Sequence, residues 1–244
     1  MSTIFNEALY RPIFNFLVFI YNLIPGSDFG LAIIVLTLLV RLIFMPLSVK
    51  ALRSQKLMAR LQPKIKELQM KYKDDKAAQA QAVMALYKEN KVNPASGCLP
   101  LIIQLPVLFA LYRAFANGFK PESLGLLYGF IKNPDTINSI SFGFFDLSKN
   151  SPALAVISGA FQFFHSKLSF AKQGQTADSG SKEALKDSFG MGAMNKQMLY
   201  FFPIIIIIIG WKLPAGLVLY WAVTTLFSMF EQLYINKKFP NLPS

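Results

Sequence analysis

Residues 29–47 read Phe-Gly-Leu-Ala-Ile-Ile-Val-Leu-Thr-Leu-Leu-Val-Arg-Leu-Ile-Phe-Met-Pro-Leu, and Arg41 is their one charge. At ~1.5 Å per residue a helix of this length crosses nearly all of a ~30 Å hydrocarbon core. Four more apolar stretches follow, at 98–119, 153–170, 198–211 and 213–235. The fourth is short, but the six isoleucines at 204–209 demand burial in lipid or protein. A tight turn at 212–214 joins the last two. Composition agrees: of 244 residues 53% are hydrophobic and 16% charged, against ~25% charged in soluble domains. Mean hydropathy is +0.39. A water-soluble enzyme of this size could not hide so much apolar side chain. The pattern predicts an all-α polytopic membrane protein with five transmembrane helices.

The expected division places spans at 29–49, 98–119, 153–171, 197–211 and 212–235. An outer loop occupies 120–152, a Gly- and Ser-rich cytoplasmic loop 172–196, and a cytoplasmic tail 236–244. Residues 1–28 are read as an interfacial amphipathic helix. Phe5, Leu9, Ile13, Phe16, Ile20 and Ile24 recur at three- to four-residue steps, with Glu7, Arg11, Asn15 and Asn22 on another face. A sixth span or an uncleaved signal anchor is the alternative. Pro25-Gly26-Ser27-Asp28 then breaks the chain. Residues 50–97 read as a cytoplasmic antiparallel helical hairpin. Its stripes are Leu57, Leu61, Leu68 and Tyr72, then Ala80, Val83, Met84 and Tyr87, with the turn at Asp74-Asp75.

Net charge is +12, and where the 25 basic residues fall sets the orientation. Eighteen lie in the hairpin, at the end of the third span, in the loop after it and in the tail; six lie on the opposite side. The N-terminus is therefore expected outside and the C-terminus in the cytoplasm. The hairpin lysines, Lys64, Lys66, Lys71 and Lys73 among them, read as a docking arm for a ribosome, a targeting factor or anionic lipid. The alternative is a solvated connector that only enforces topology. One cysteine, Cys98, and one histidine, His165, exclude an intrachain disulfide, a thiolate metal cluster and a zinc site. No nucleotide-binding motif appears, and neither cofactor nor metal is expected.

Arg41 is the most informative residue. It lies ~18 Å below the outer boundary, counted from Phe29 at ~1.5 Å per residue. A central arginine costs ~2.5–3.5 kcal/mol on insertion scales. Snorkelling to the interface is one escape. No Asp or Glu lies deep in any span, so water, backbone acceptors or a visiting anion are the others. Thr37 shares its face one turn earlier, and Gln104 falls at the same depth. Gln162, Thr224, Thr225 and Ser228 occupy the middle or cytoplasmic half of their spans. Each can serve as an interhelical hydrogen-bond partner; together they fit a hydrated cavity open to the cytoplasm. Trp211 falls at the outer boundary, Tyr220 and Trp221 deeper, and His165 with Lys167 at the cytoplasmic interface.

Several motifs then occur in order: Thr37-Leu38-Leu39-Val40-Arg41 with Pro46-Leu47, Gln62-Pro63-Lys64-Ile65, and Met84-Ala85-Leu86-Tyr87-Lys88. Val92-Asn93-Pro94, Gly97-Cys98 and Pro100-Leu101-Ile102-Ile103-Gln104-Leu105-Pro106 follow. The last is Leu213-Pro214-Ala215-Gly216-Leu217-Val218-Leu219-Tyr220-Trp221. Over roughly 29–235 the chain closely resembles the YidC/Oxa family of membrane-protein insertases. The resemblance implies a five-span core with a hydrophilic groove open to the cytoplasm and closed to the outside. The groove arginine corresponds to Arg41, with Thr37 on its face and Gln104 and Trp211 near it. The third and fifth spans would form the greasy path of a client helix. The hairpin and the loop after the third span would be the cytoplasmic contact regions. The form expected is the short one, lacking both the large outer domain of many members and the long basic tail of some.

The expected function is thus that of a bacterial plasma (inner) membrane insertase and chaperone, not an enzyme. Its partners would be newly made membrane proteins, with the ribosome, the Sec translocon and anionic lipid as further candidates. No sequence-specific nucleic-acid binding is expected. A small-anion transporter or channel using Arg41, and a structural scaffold, are the rivals.

Overall fold

A computed structural model describes residues 3–93, 99–118, 120–170 and 191–238. Cys98, most of the 172–196 loop with Lys172, Lys182 and Lys186, and the tail beyond Lys238 lie outside the described residues. The chain starts with α1 (Thr3–Phe5), a turn of π-helix (Asn6–Tyr10) and α2 (Arg11–Leu23). Gly26 and Ser27, at φ of +81° and +48°, end this segment. Asp28 caps the next helix by accepting the Gly30 and Leu31 N–H groups at 2.8 and 3.1 Å.

That helix, α3, runs 43 residues from Phe29 to Lys71, through Pro46 and Pro63. The boundary expected at 49/50 is therefore not a helix end. Over its most apolar window α3 has a mean hydropathy of 2.4, with only 28% of the window buried within the protein. A core helix of a soluble domain would be mostly buried, whereas α3 turns most of its apolar surface outward. By length and composition it can cross a membrane. After α4 (Lys76–Glu89) come α5 (Leu99–Asn117), α6 (Pro121–Leu124), α7 (Pro152–Phe170), α8 (Met191–Gly210) and α9 (Ala215–Lys238).

The all-α expectation needs one correction. Strands β1 (Ile140–Ser141) and β2 (Phe145–Asp146) form a small antiparallel hairpin between α6 and α7. Phe142 and Gly143 turn it at φ of +54° and +79°. Two-residue strands leave no period to read in a sequence.

The chain divides into two compact units, residues 1–43 with 104–229 and residues 44–103 with 230–244. In the larger, α2 delivers Phe14, Leu17, Val18 and Tyr21 to a core shared with Phe29, Ile33 and Phe115. Phe29 stands edge-on to Tyr21 and Phe115, at 5.7 and 6.2 Å between centroids. The expected apolar stripe holds at Ile20, which is buried, and at Phe5, Ile13 and Ile24, which pack against this core; two positions depart from it. Phe16 faces out, and Asn15, assigned to the polar face, is 1% exposed. Asn15 tolerates burial because its amide is fully used. It donates to the carbonyls of Arg11 at 2.8 Å and Leu126 at 3.0 Å, and accepts from the Tyr128 N–H at 2.6 Å.

The segment 120–152 ties helix ends together. Ser123 Oγ donates to the Asn117 carbonyl at 2.7 Å, at the end of α5. Ser141 Oγ donates to Asp28, and the Phe142 N–H to Asp28 Oδ2 at 2.7 Å, at the start of α3. The Ala215 and Gly216 N–H groups, opening α9, donate to the Lys149 and Leu147 carbonyls at 2.7 and 3.0 Å. Asn150 donates to the Trp211 carbonyl at 3.1 Å, just past α8, and α7 begins at Pro152. Five helix ends thus meet one segment.

The same ties give a pH prediction. Burial alone would raise the Asp28 carboxyl. Hydrogen bonds from Ser141, Phe142, Leu31 and Gly30 outweigh it and hold the group below the ordinary carboxylate range. Asp146 is held at about 2, chiefly by the Ser148 hydroxyl and then by the Lys149 ammonium. A carboxylate depressed in the fold stabilises it fully above its unfolded pKa and stops doing so as pH falls through the folded value. The unfolding temperature in detergent should stay flat from pH 8 to 5 and drop below about pH 4. Asp28→Asn should remove part of that drop; an identical acid profile in the variant would refute the linkage.

In the smaller unit the end of α3 packs on α4. Leu61, Ile65, Leu86 and Val92 are buried, with Leu57, Leu68, Val83 and Tyr87 against them. Asp75 caps α4 by accepting the Ala77 and Ala78 N–H groups at 3.0 and 2.9 Å. Ala80 and Met84, read as stripe members, face out. The buried face of α4 instead runs through Val83, Leu86 and Tyr87, one step of ~100° from Met84. In the same unit Lys56 Nζ reaches Asn236 Oδ1 at 2.5 Å, and Glu231 and Gln232 are buried.

Candidate functional site

The site is assembled from four helices of the larger unit. On α3, Thr37 and Arg41 lie one turn apart on one face. Thr37 is fully buried, and its hydroxyl donates to the Ile33 carbonyl at 2.6 Å. Its proton therefore serves its own helix. Arg41, half-buried, lies within electrostatic reach of His165 on α7 and Tyr220 on α9. The Tyr220 hydroxyl, itself buried, accepts from Gln104 Nε2 on α5 and neighbours the Thr224 hydroxyl one turn along α9. Arg41, Gln104, His165, Tyr220 and Thr224 thus form one polar cluster on these four helices.

The remaining candidates separate. Gln162 donates to Ser166 Oγ at 3.4 Å on its own helix, one turn before His165. Ser228 donates to the Thr224 carbonyl at 3.0 Å. Trp221 is half-buried beside Tyr220 in the chain, whereas Trp211 is half-exposed at the end of α8 with its carbonyl held by Asn150. The described contacts tie Trp211 to the 120–152 segment and not to Arg41. In the other unit Lys64, Lys66 and Lys71, on α3, and Lys73, in the turn before α4, are all solvent-exposed. Lys73 is 4.0 Å from Asp74, and Lys71 lies 5.4 Å over the Tyr72 ring.

His165 is the member that the sequence reading left out, assigning it to the interface. The signal was there: Ser158, Gln162, His165 and Ser166 share one face of α7. Ser158 and Ser166 are buried, Ser158 Oγ donating to the Val218 carbonyl at 3.2 Å.

A family model described as "60Kd inner membrane protein" matches residues 19–242. The chain belongs to this family. Its curated relatives in the 60Kd inner membrane protein family include "Membrane protein insertase YidC" of Fusobacterium nucleatum. That protein is 34% identical over 232 residues, which cover 94% of this chain and 98% of the relative. "Membrane protein insertase YidC 1" of Listeria monocytogenes is 37% identical over 220 residues, 88% of this chain and 67% of the relative. The Rickettsia africae relative, 33% identical, is matched over only 38% of its length. Among solved structures, "Active YidC insertase crystal structure with the first transmembrane domain resolved" is 28% identical with a TM-score of 0.56. The match covers 94% of this chain and 46% of that one. The family resemblance read from Arg41, Gln104 and the Tyr220 motif therefore holds. Members of this inner-membrane family are insertases and not enzymes.

Proposed function

We propose that the protein is a membrane protein insertase that receives short polar tails of client proteins in a cytoplasm-open groove around Arg41. The client's apolar helix is then released sideways into lipid. The observation that carries this reading is the convergence of α3, α5, α7 and α9 on Arg41, Gln104, His165, Tyr220 and Thr224. Such a cluster gives a polar tail a wet, positively charged resting place part-way across the bilayer. Burial of the client helix then supplies ~0.8 kcal/mol per CH₂. No nucleotide is required.

Five spans with the N-terminus outside accord with the outer segment. It meets α3 and α9 at their first residues, α7 follows directly from it, and α5 and α8 meet it at their last. Helices that alternate in direction from one common level cross a membrane in turn. On this reading 1–28 is the interfacial helix and 50–97 the cytoplasmic hairpin.

The test is reconstitution into protein-free liposomes with a single-span client bearing a short tail. An insertase makes the tail protease-resistant. A tail that stays fully digestible at every protein-to-lipid ratio would reject the proposal, as would uptake of small anions without tail protection.

The hairpin is read as the arm for ribosomes, with anionic lipid and the Sec translocon as further partners. Neutralising Lys66, Lys71 and Lys73 should leave the fold intact, because all three side chains are exposed. If each contacts an RNA phosphate, the slope of log affinity against log salt for ribosome binding should flatten by roughly 2–3. An unchanged slope returns these lysines to topology alone.

A further inference from the structure

The β1–β2 hairpin displays apolar side chains to its surroundings. Phe144 is 73% exposed, Ile140 51% and Phe142 39%. Its position along the helices is fixed by two short ties to the first residue of the α3 cap. Ser141 Oγ and the Phe142 N–H both donate to the Asp28 carboxylate, the latter at 2.7 Å. The approach is close enough that a Cβ on Gly30 would sit 2.1 Å from Ser141 Oγ. Leu31 and Val35, exposed on the first two turns of α3, belong to its outward apolar surface. The hairpin therefore stands within about one helical pitch, ~5.4 Å, of where that surface begins. Behind it, Lys149 and Asn150 fasten the same segment to the ends of α9 and α8, where Trp211 is half-exposed.

The geometry points to this hairpin as a membrane anchor: the aromatic tip Phe142–Phe144 lies in the headgroup boundary of the outer leaflet. The occupant of the apolar tip is phospholipid, because the tip is continuous in level with the outward surface of α3. Phenylalanine side chains are stable just below that boundary, where an interfacial element buries its apolar face at the edge of the acyl chains. The same segment carries Lys132, exposed, while the Lys149 ammonium pairs with Asp146 at 3.0 Å. The anchor then holds the helix ends through its hydrogen bonds, independently of any client.

The experiment places a nitroxide at Phe144→Cys and, separately, at Asp135→Cys, both on a Cys98→Ala background. The protein is reconstituted in vesicles of phosphatidylethanolamine and phosphatidylglycerol. Position 135 is an exposed residue of the same outer segment and reports water. The label at 144 should collide with a water-soluble nickel chelate at least fivefold less often than the label at 135, and more often with oxygen. Equal nickel accessibility at the two positions would overturn the anchor. So would protection of 144 that arises only when other membrane proteins are added, since the occupant would then be a protein. The readout does not involve insertion, so it stands or falls separately from the groove.

Discussion

Arg41→Ala is expected to lower insertion of clients with acidic tails by about 10- to 100-fold, equivalent to about 1.4–2.7 kcal/mol. Clients with neutral tails should lose much less. The difference follows from what the cluster offers. Gln104, Tyr220 and Thr224 supply neutral polar groups, and these hydrate any tail. The guanidinium adds a charge that only an acidic tail can exploit, and in a partly desolvated site that attraction is far stronger than in water. Arg41→Lys should retain much of the activity, because a point charge still attracts a carboxylate, although the two-pronged contact is lost. The variant should fold, since removing a half-buried charge from an apolar helix relieves a cost. The measurement is tail protection for a matched pair of clients by wild type and variant at equal expression. Wild-type rates for both clients with Arg41→Ala would make the residue a snorkelling one and end the charge mechanism.

The second large effect is expected at Gly159. Helices α7 and α8 run side by side, and a Cβ at Gly159 would meet Ile207 Cγ1 at 2.4 Å and Cδ1 at 2.7 Å. The Pro203 carbonyl oxygen, which cannot rotate away, is 3.2 Å distant. Small residues at such crossings let helix backbones approach closely, and close packing is the main force between helices in lipid. Gly159→Leu should therefore cost about 2–3 kcal/mol, the upper end for overpacking, and separate α7 from α8. Gly159→Ala displaces only the end of Ile207 and should cost about 1 kcal/mol. Pairing it with Ile207→Ala should recover part of that loss. Thermal unfolding in detergent measures all four proteins. A Gly159→Leu protein as stable as wild type would mean that the two helices do not meet there.

What the sequence made legible follows from how far each interaction reaches. The break at Pro25-Gly26-Ser27-Asp28 and the turn at Asp74-Asp75 are decided by a few neighbouring residues, and they can be read in place. Arg41 was legible because the one charge in a stretch of nineteen mostly apolar residues is costly wherever the chain goes. Gln104 was legible by depth alone, counted along its helix. The exposure of Phe16 was not, because the buried face of α2 passes through its neighbours Phe14, Asn15, Leu17 and Val18. Nor was the burial of Asn15, whose partners Leu126 and Tyr128 lie 111 and 113 residues away. Met84 and Leu86 exchanged places because α4 has little contrast between its faces. His165 escaped for another reason: a lone histidine near a helix end has several ordinary uses, and only the approach of α3 selects one.

The long reach of the Asn15 contacts also bears on how the protein is made. A ribosome adds ~5–20 residues per second, so Asn15 emerges roughly 6–22 s before Leu126, 111 positions later. Throughout that interval the amide lacks two of its three final partners. A side-chain amide stranded in hydrocarbon costs several kcal/mol. On the proposed topology, the nascent N-terminal helix would wait at a water-accessible depth and dock only after the segment carrying Leu126 and Tyr128 has itself crossed the membrane. Completion of its own topology is thus a timed event, in which the first helix made is among the last to be fastened.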